Sequence, residues 1–306
     1  MARFHKPVLL KKVLEYLEVK EGEKYLDATA GGGGHTQAIL KLGGKILAID
    51  CDPEAVKAAR VYLASACPPG KHYFWRLVSG NFKDLKEIAK KEGFSEVAGI
   101  LFDLGVSSYQ LETEERGFSF RDNGPLDMRM DPRLGVTAAD LINGLNKGEL
   151  NEIFSKFSQE HYSRRFAEAI CQSRRLRPIR TTGELVAVIE KALPGKAKRK
   201  MKIHPATRVF QALRIVVNDE LNNLKEALPQ AQDLLKPKGR LAIISFHSGE
   251  DRIVKQFFKD KESTSQLRII TKKPIRPTLE EIKENPRSRS AKLRVAEKNK
   301  NINEKN

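Results

Sequence analysis

Four consecutive glycines, Gly31 to Gly34, follow the run Tyr25-Leu-Asp-Ala-Thr-Ala30 and lead into His35-Thr36. This reads as a buried strand delivered into a helix across a floor of bare backbone. Glycine adopts positive φ at no steric penalty and carries no Cβ, so a ligand can come close to the main chain there. A flexible turn is the plainer alternative. The glycine spacing also selects among cofactors. A dinucleotide fingerprint wants G-x-G-x-x-G, but Gly31 and Gly33 are followed by Thr36, and Gly32 and Gly34 by Gln37. A P-loop needs a lysine after its last glycine, and His35-Thr36 supplies none. A smaller adenosyl ligand fits, with its amino-acid end over the glycines.

Around this turn the chain alternates in type. Strands are expected at Lys24 to Ala30, Lys45 to Asp50, Tyr73 to Val78 and Val97 to Asp103, with helical stretches such as Pro53 to Ser65 between them. Such alternation predicts a parallel sheet flanked by helices. After Gln110 comes a charged, turn-rich segment, Arg116 to Pro132, and then amphipathic helices to Leu193. Strand signals return at Arg240 to Phe246, after a Lys238-Gly239 turn, and again at Leu267 to Thr271 and Ala291 to Ala296. The expectation is an α/β domain made of residues 1–112 and 206–306, interrupted by a helical insertion over 113–205. The end, Lys298 to Asn306, reads as frayed.

In an open parallel sheet the ligand crevice lies outside the carboxyl ends of the strands. Asp50 ends the second strand, sixteen residues beyond Gly34, where a carboxylate can accept from both ribose hydroxyls. Asp52 is its rival, although the following Pro53 suits Asp52 to starting a helix. Asp27 can either reach the ligand's ammonium or cap a neighbouring turn. Phe82 can stack on an adenine or fill the core. Asp103 ends the fourth strand in Ile100-Leu-Phe-Asp103 and faces the same crevice, with a structural salt bridge as the alternative.

The 306-residue chain is 40% hydrophobic, enough for a substantial core. No apolar run approaches the roughly 18 residues of a membrane span, and the first residues lack a secretory signal's apolar stretch, so a cytoplasmic protein away from membranes is expected. Cys51, Cys67 and Cys171 form no C-x-x-C pair, so neither a disulfide framework nor a metal site is expected. Lys+Arg exceeds Asp+Glu by 56 to 39, a net charge of +17, which draws in polyanions. The excess clusters at Arg164, Arg165, Arg174, Arg175, Arg177 and Arg180, and then at Lys196, Lys198, Arg199, Lys200, Lys202 and Arg208. A third group comprises Arg287, Arg289, Lys292 and Arg294. Nucleic-acid phosphate contact is the expectation and solvated faces the alternative.

Several blocks are more specific: Asp103-Leu-Gly-Val-Ser-Ser108, Arg116-Gly-Phe-Ser-Phe120, Pro125-Leu-Asp-Met-Arg-Met-Asp131, His204-Pro-Ala-Thr-Arg208, Phe210-Gln-Ala-Leu-Arg-Ile215, Ser245-Phe-His-Ser248 and Asn285-Pro-Arg-Ser-Arg-Ser290. With these the chain resembles, from His5 to Glu297, the bacterial 16S ribosomal RNA (cytosine-N4)-methyltransferase family. The resemblance implies a class I S-adenosylmethionine-dependent methyltransferase fold, a Rossmann-like α/β sheet whose helical insertion recognises RNA. It implies cofactor contacts at Gly33, Gly34, His35, Asp50, Phe82, Asp103 and Gln110. The implied partner is 16S ribosomal RNA or the small ribosomal subunit, and a homodimer is a further expectation. The chain departs from the family pattern at Gly249, where leucine is usual, at Tyr109, commonly proline, and at Phe157-Ser-Gln159 in place of Tyr-Gly-Glu.

A sulfonium methyl is already electrophilic, so transfer needs in-line placement rather than a metal. A cytosine amine is a poor nucleophile, and an acceptor on its N–H favours rehybridisation as the bond forms. Asp103 is the first candidate for that acceptor. Other amino methyltransferases grip the base with Asp/Asn-Pro-Pro-Tyr/Phe after the fourth strand, and Asp103-Leu-Gly-Val106 lacks both prolines and the aromatic. Ser107, Ser108 and Tyr109, with Phe246-His247-Ser248, are the elements placed to replace that grip. Asp103, Ser107 and His247 are therefore the expected catalytic residues, while Glu250, Asp251 and Arg252 suit helix capping. The rival readings are a nicotinamide-dependent oxidoreductase and a non-catalytic ribosome-assembly factor.

Overall fold

The computed structural model describes residues 7–66, 73–195 and 203–300. Cys67, the lysine-rich Lys196, Lys198, Arg199, Lys200 and Lys202, and the tail from residue 301 lie outside them. Seven strands, β1 (Lys24–Asp27), β2 (Lys45–Asp50), β3 (Trp75–Ser79), β4 (Val97–Asp103), β5 (Leu235–Ser245), β6 (Leu267–Ile269) and β7 (Lys292–Lys298), form one sheet in the order β3-β2-β1-β4-β5-β7-β6. Strands β1 to β5 are parallel. Strand β7 runs antiparallel between β5 and β6.

Both faces of the sheet are covered, which is why its central strands carry near-continuous apolar runs such as Ile46 to Ile49, Ile100 to Phe102 and Leu241 to Ile244. Leu26, Leu47, Ile49, Ile100, Phe102, Leu241 and Ile243 pack on one face against Leu85, Leu224, Leu228, Val254 and Phe258 from helices. The alternate residues Tyr25, Ile46, Leu101, Ala242 and Ile244 pack on the other, against Val13, Leu17, Ile39, Leu40 and Leu63. Each fully buried leucine, isoleucine or phenylalanine stabilises the unit by about 1.5–3 kcal/mol. The strands that carry the site are therefore held rigidly.

The third strand runs Trp75–Ser79 rather than Tyr73 to Val78 and the sixth stops at Ile269 rather than Thr271, and three further departures from the sequence expectation have a visible cause. The first strand stops at Asp27 rather than Ala30: Ala28 N–H donates to Leu101 on one side (2.9 Å), but Ala30 N–H donates to Ile49 on the other (2.8 Å). In a regular strand both would point the same way, so the chain leaves the ladder at Thr29. The Lys238-Gly239 turn is an irregularity inside β5, which begins at Leu235 and shifts register against Val97 and Gly99. A Cβ on Gly239 would lie 2.8 Å from the Lys236 carbonyl oxygen and 2.9 Å from that of Val97, so only glycine fits. Lys298, read as the start of a frayed end, closes β7 instead, and its Nζ donates to the Leu235 carbonyl at 2.6 Å.

The chain divides into two compact units, one of residues 1–107 with 221–306 and one of residues 108–220, where the sequence pattern had set the divisions at 112/113 and 205/206. The helix Ala206–Val217 packs on the helix Lys147–Ser158 within the second unit. Three of the second unit's helices start with reciprocal capping boxes, Thr137 with Asp140, Asn146 with Glu149 and Thr181 with Glu184. Each cap contributes about 1 kcal/mol. Leu150, Phe154, Phe166, Ile170, Leu185 and Leu213 are fully buried at its centre. The charged Arg116 to Pro132 segment is ordered by its own contacts. Arg116 Nη2 donates to the carbonyls of Arg129 and Met130, while Asn218 accepts from Met130 N–H and donates to the Met128 carbonyl.

Candidate active site

Strands β1, β2 and β4 are neighbours, run parallel, and each ends in an aspartate. Asp27, Asp50 and Asp103 therefore stand together at the carboxyl edge of the sheet, where an open α/β sheet binds its ligand. The glycine turn is draped over that edge. Gly33 sits at φ 83° as the first cap of the helix Gly34–Lys41, a conformation that strains any residue with a Cβ. A Cβ on Gly34 would come within 3.2 Å of Pro7.

Two of the aspartates hold this frame together. Asp50 Oδ2 accepts the Gly31 N–H at 2.7 Å, and its Oδ1 accepts the Asp52 N–H at 2.9 Å. Burial pushes the Asp50 carboxyl up to about 6, and these two N–H bonds hold it from going higher. A carboxylate has about four acceptor sites, so Asp50 staples the turn to β2 and keeps capacity for ribose hydroxyls. Asp52 is fully buried and accepts the Glu54 N–H at 3.0 Å, the helix-start role expected of it. Asp27 is 1% exposed and accepts the Thr36 hydroxyl at 2.7 Å and the Thr29 N–H at 3.2 Å. It caps the turn, and burial raises its pKa against the opposing pull of His35.

Asp103 and His35 differ from these. The His35 ring, 6% exposed, brings Nε2 to 3.4 Å from Asp103 Oδ2 without forming a hydrogen bond. Both His35 nitrogens and Asp103 Oδ1 are buried without a hydrogen-bond partner. Buried polar atoms left unpaired in a folded protein call for a ligand or a water. Asp103 is itself aimed by Thr29, whose Oγ1 accepts the Asp103 N–H at 2.6 Å. Sequence reasoning missed Thr29, although a polar residue interrupting the apolar run before the glycines is a visible signal. It also missed Thr36, whose bond to Asp27 spans nine residues and leaves no local pattern.

Phe82 begins a short 3-10 turn capped by Asn81, and its ring meets Phe102 edge to face with centroids 5.7 Å apart. It packs on the core and stays partly exposed. The loop after β4 runs beside that after β5: Leu104 N–H donates to the Ile244 carbonyl, and a Cβ on Gly105 would lie 3.3 Å from the Phe246 ring. Ser107, partly buried, and His247 thus belong to adjacent loops. His247 caps the helix Ser248–Ser263, with Nδ1 accepting the N–H groups of Gly249 (3.2 Å) and Glu250 (3.4 Å). Glu250 returns the bond to Phe246 and His247 N–H, the capping role expected of it. With Nδ1 accepting, the ring proton belongs on Nε2, 3.2 Å from Glu250 Oε1. His247 in this arrangement offers a donor rather than a base. Gln110 lies on the short helix Ser108–Glu112 of the second unit and is buried.

A model of the MraW methylase family matches residues 2–299. The chain belongs to this family. Among curated relatives, "Ribosomal RNA small subunit methyltransferase H" of Thermomicrobium roseum is 46% identical, over 96% of this chain and 93% of that protein. Its namesakes in Dehalococcoides mccartyi and Halothermothrix orenii are 47% and 45% identical, each over 96% of this chain, and over 86% and 98% of their own lengths. The sheet is the Rossmann-like sheet of an S-adenosylmethionine-dependent methyltransferase, and membership of a methylase family displaces the nicotinamide reading. The residues of this MraW-family chain fit that cofactor. A bare glycine turn, an aspartate with spare acceptor sites and two buried polar groups without partners converge at one sheet edge.

Proposed function

We propose that this MraW-family enzyme transfers a methyl group from S-adenosylmethionine to the exocyclic N4 amine of a cytidine in the decoding region of 16S ribosomal RNA. The observation that carries the reading is the unpartnered Asp103 Oδ1 beside His35, buried at the edge that the glycine turn covers. The cofactor supplies an electrophilic methyl on a positively charged sulfur. Asp103 accepts an N–H of the amine, which localises the nitrogen lone pair toward that methyl. Transfer would exchange that carbon–sulfur bond for a carbon–nitrogen bond, leaving a neutral thioether, and the proton shed by the nitrogen would pass to solvent. Asp50 holds the ribose, the backbone of Gly33 and Gly34 receives the amino-acid end, and Phe82 meets the adenine. His35 completes the cofactor contacts of the first unit in this reading. Ser107 and the Nε2–H of His247 grip the base from their adjacent loops, in place of the missing proline-proline-aromatic motif.

The helical unit is the RNA-recognition part of the proposal. Arg164, Arg175, Arg177 and Arg180 are exposed there. Arg165 and Arg174 donate instead to the carbonyls of Ala192 and Ile142, which gives them structural work. Among the described residues no helix is long and apolar enough to cross a membrane, and a cytoplasmic enzyme acting on the small subunit is the setting we infer. Transfer of radiolabel from S-adenosylmethionine to small-subunit RNA, followed by mapping of the modified base, tests the reading. Label on a cytosine amine, absent with Gly33→Asp, supports it; label on another base or on protein overturns it. Sedimentation of the purified enzyme tests the expected homodimer.

A further inference from the structure

Away from the glycine turn, the first unit carries a cavity of about 240 Å³ between the helix Ser248–Ser263 and the strands β6 and β7. Lys255, Lys259, Lys272 and Arg294 line it, with Glu262 as its one carboxylate. Lys255, Lys259 and Glu262 share one helix face by their i, i+4, i+7 spacing, and Phe258 and Ile269 supply apolar wall. The acidic groups here are already committed. Glu262 Oε1 accepts the Ile269 N–H at 3.0 Å. Asp251 receives Arg294 Nε at 2.7 Å and Lys292 Nζ at 3.0 Å. The three lining lysines are exposed and, among the described residues, have no hydrogen-bond or ion-pair partner. Arg294 is 8% exposed and fixed by Asp251, so a guanidinium is held in place where three free ammonium groups gather.

We propose that this cleft binds backbone phosphates of the substrate RNA, at a contact separate from the helical insertion. The inference rests on the RNA reading above and deepens it. Cations gathered in a concave site with committed counter-charges favour a polyanion, and a polynucleotide gains affinity from each phosphate so neutralised. The helix leads from His247 to the cleft, and at 1.5 Å per residue Lys255 to Glu262 stand roughly 10–20 Å from the His247 end. That reach places the phosphates a few nucleotides from the base to be methylated. The third basic cluster of the sequence thereby divides: Arg294 lines the cleft and shares Asp251 with Lys292, while Arg287 and Arg289 lie exposed on a separate short helix.

The test is the triple variant Lys255→Ala, Lys259→Ala, Lys272→Ala in the full chain, with binding to a small-subunit RNA fragment measured from about 50 to 300 mM salt. Exposed lysines are replaced, so the thermal midpoint and the S-adenosylmethionine affinity stay at wild-type values. The expected result is at least about a tenfold loss of RNA affinity near 150 mM salt and a salt slope shallower by about 2, at roughly 0.7–0.9 for each phosphate no longer neutralised. Affinity and slope equal to wild type, with wild type methylating the RNA, overturns the cleft and leaves the RNA reading intact. A variant that binds naked RNA normally but fails on assembled subunits overturns it too, by showing that the cleft takes an acidic protein surface. Wild-type enzyme that neither binds nor methylates RNA removes the RNA reading and the cleft together.

Discussion

The aspartates of β1 and β2 and the aspartate of β4 end neighbouring strands, yet the protein treats them in opposite ways. Asp27 and Asp50 each accept two hydrogen bonds from the turn beside them. Asp103 uses its backbone N–H to fix its position through Thr29 and leaves Oδ1 buried without a hydrogen-bond partner beside His35, whose two ring nitrogens also lack one. The first pair builds a frame, and the second pair is what the frame presents. A satisfied polar group contributes stability, whereas an unsatisfied buried one costs about 1–3 kcal/mol and persists where function requires it. Substitutions on the two sides should therefore separate activity from stability.

The largest effect falls on the Asp103 side. Asp103→Ala should lower turnover about 10²–10³-fold or more, the range for losing one acceptor or donor that acts on the reacting group, while stability stays near wild type because the buried Oδ1 has no hydrogen bond to lose. Single-turnover methyl transfer alongside a denaturation curve reads both. Near-normal turnover would remove Asp103 from the chemistry. The mirror experiment is Asp27→Ala, which strands the buried Thr36 hydroxyl and the Thr29 N–H. It should cost about 2–3 kcal/mol in denaturant unfolding. If stability is unchanged, the frame role given to Asp27 is wrong.

Asp50 joins the two halves of the comparison, because it braces the turn and receives the ribose. Its folded pKa of about 6 lies above the ordinary aspartate value of 3.8, so the folded protein binds more protons than the unfolded chain between these values. The stabilisation is fully present below about pH 3.8 and is lost as pH rises through 6, by on the order of 3 kcal/mol. Cofactor affinity moves the other way, since the ionised form is the stronger acceptor: S-adenosylmethionine should bind more weakly as pH falls below about 6. Calorimetric titration from about pH 5 to 8 measures this, and Asp50→Asn should flatten the profile. A profile of the same shape in that variant would assign the titration elsewhere.

The frame was largely legible in the sequence, and what it presents was legible only in part. Strands β2 and β4 follow from apolar runs that end in a polar residue, because a strand buried on both faces has little choice of composition. Asp27, Asp50 and Asp103 were found by the same rule. The exit of β1 at Thr29 was hidden, since side-chain pattern does not report which neighbour a backbone N–H bonds. The division at 205/206 put Ala206–Val217 with the returning strands, whereas the helix packs on Lys147–Ser158, a partner that its own sequence does not name. The pairing of His35 with Asp103 joins residues 68 positions apart and has no local signature.

His247 and Gly249 give the smallest and most chain-specific test. A Cβ at position 249 would stand 3.1 Å from both Cε1 and Nδ1 of His247, so the glycine that departs from the family's leucine is what lets the ring fold back as a helix cap. Gly249→Leu should push the ring off the N–H groups of Gly249 and Glu250. Losing a cap costs about 0.5–2 kcal/mol, and the leucine's better helix propensity returns part of it. The net loss should stay near about 1 kcal/mol. The displaced ring no longer has Nδ1 held as the acceptor of those two N–H groups, so the proton can move from Nε2 to Nδ1. NMR of the imidazole nitrogens reads this directly as a change in which one carries the proton. If the tautomer and the stability both match wild type, the glycine is neutral and the cap does not depend on it.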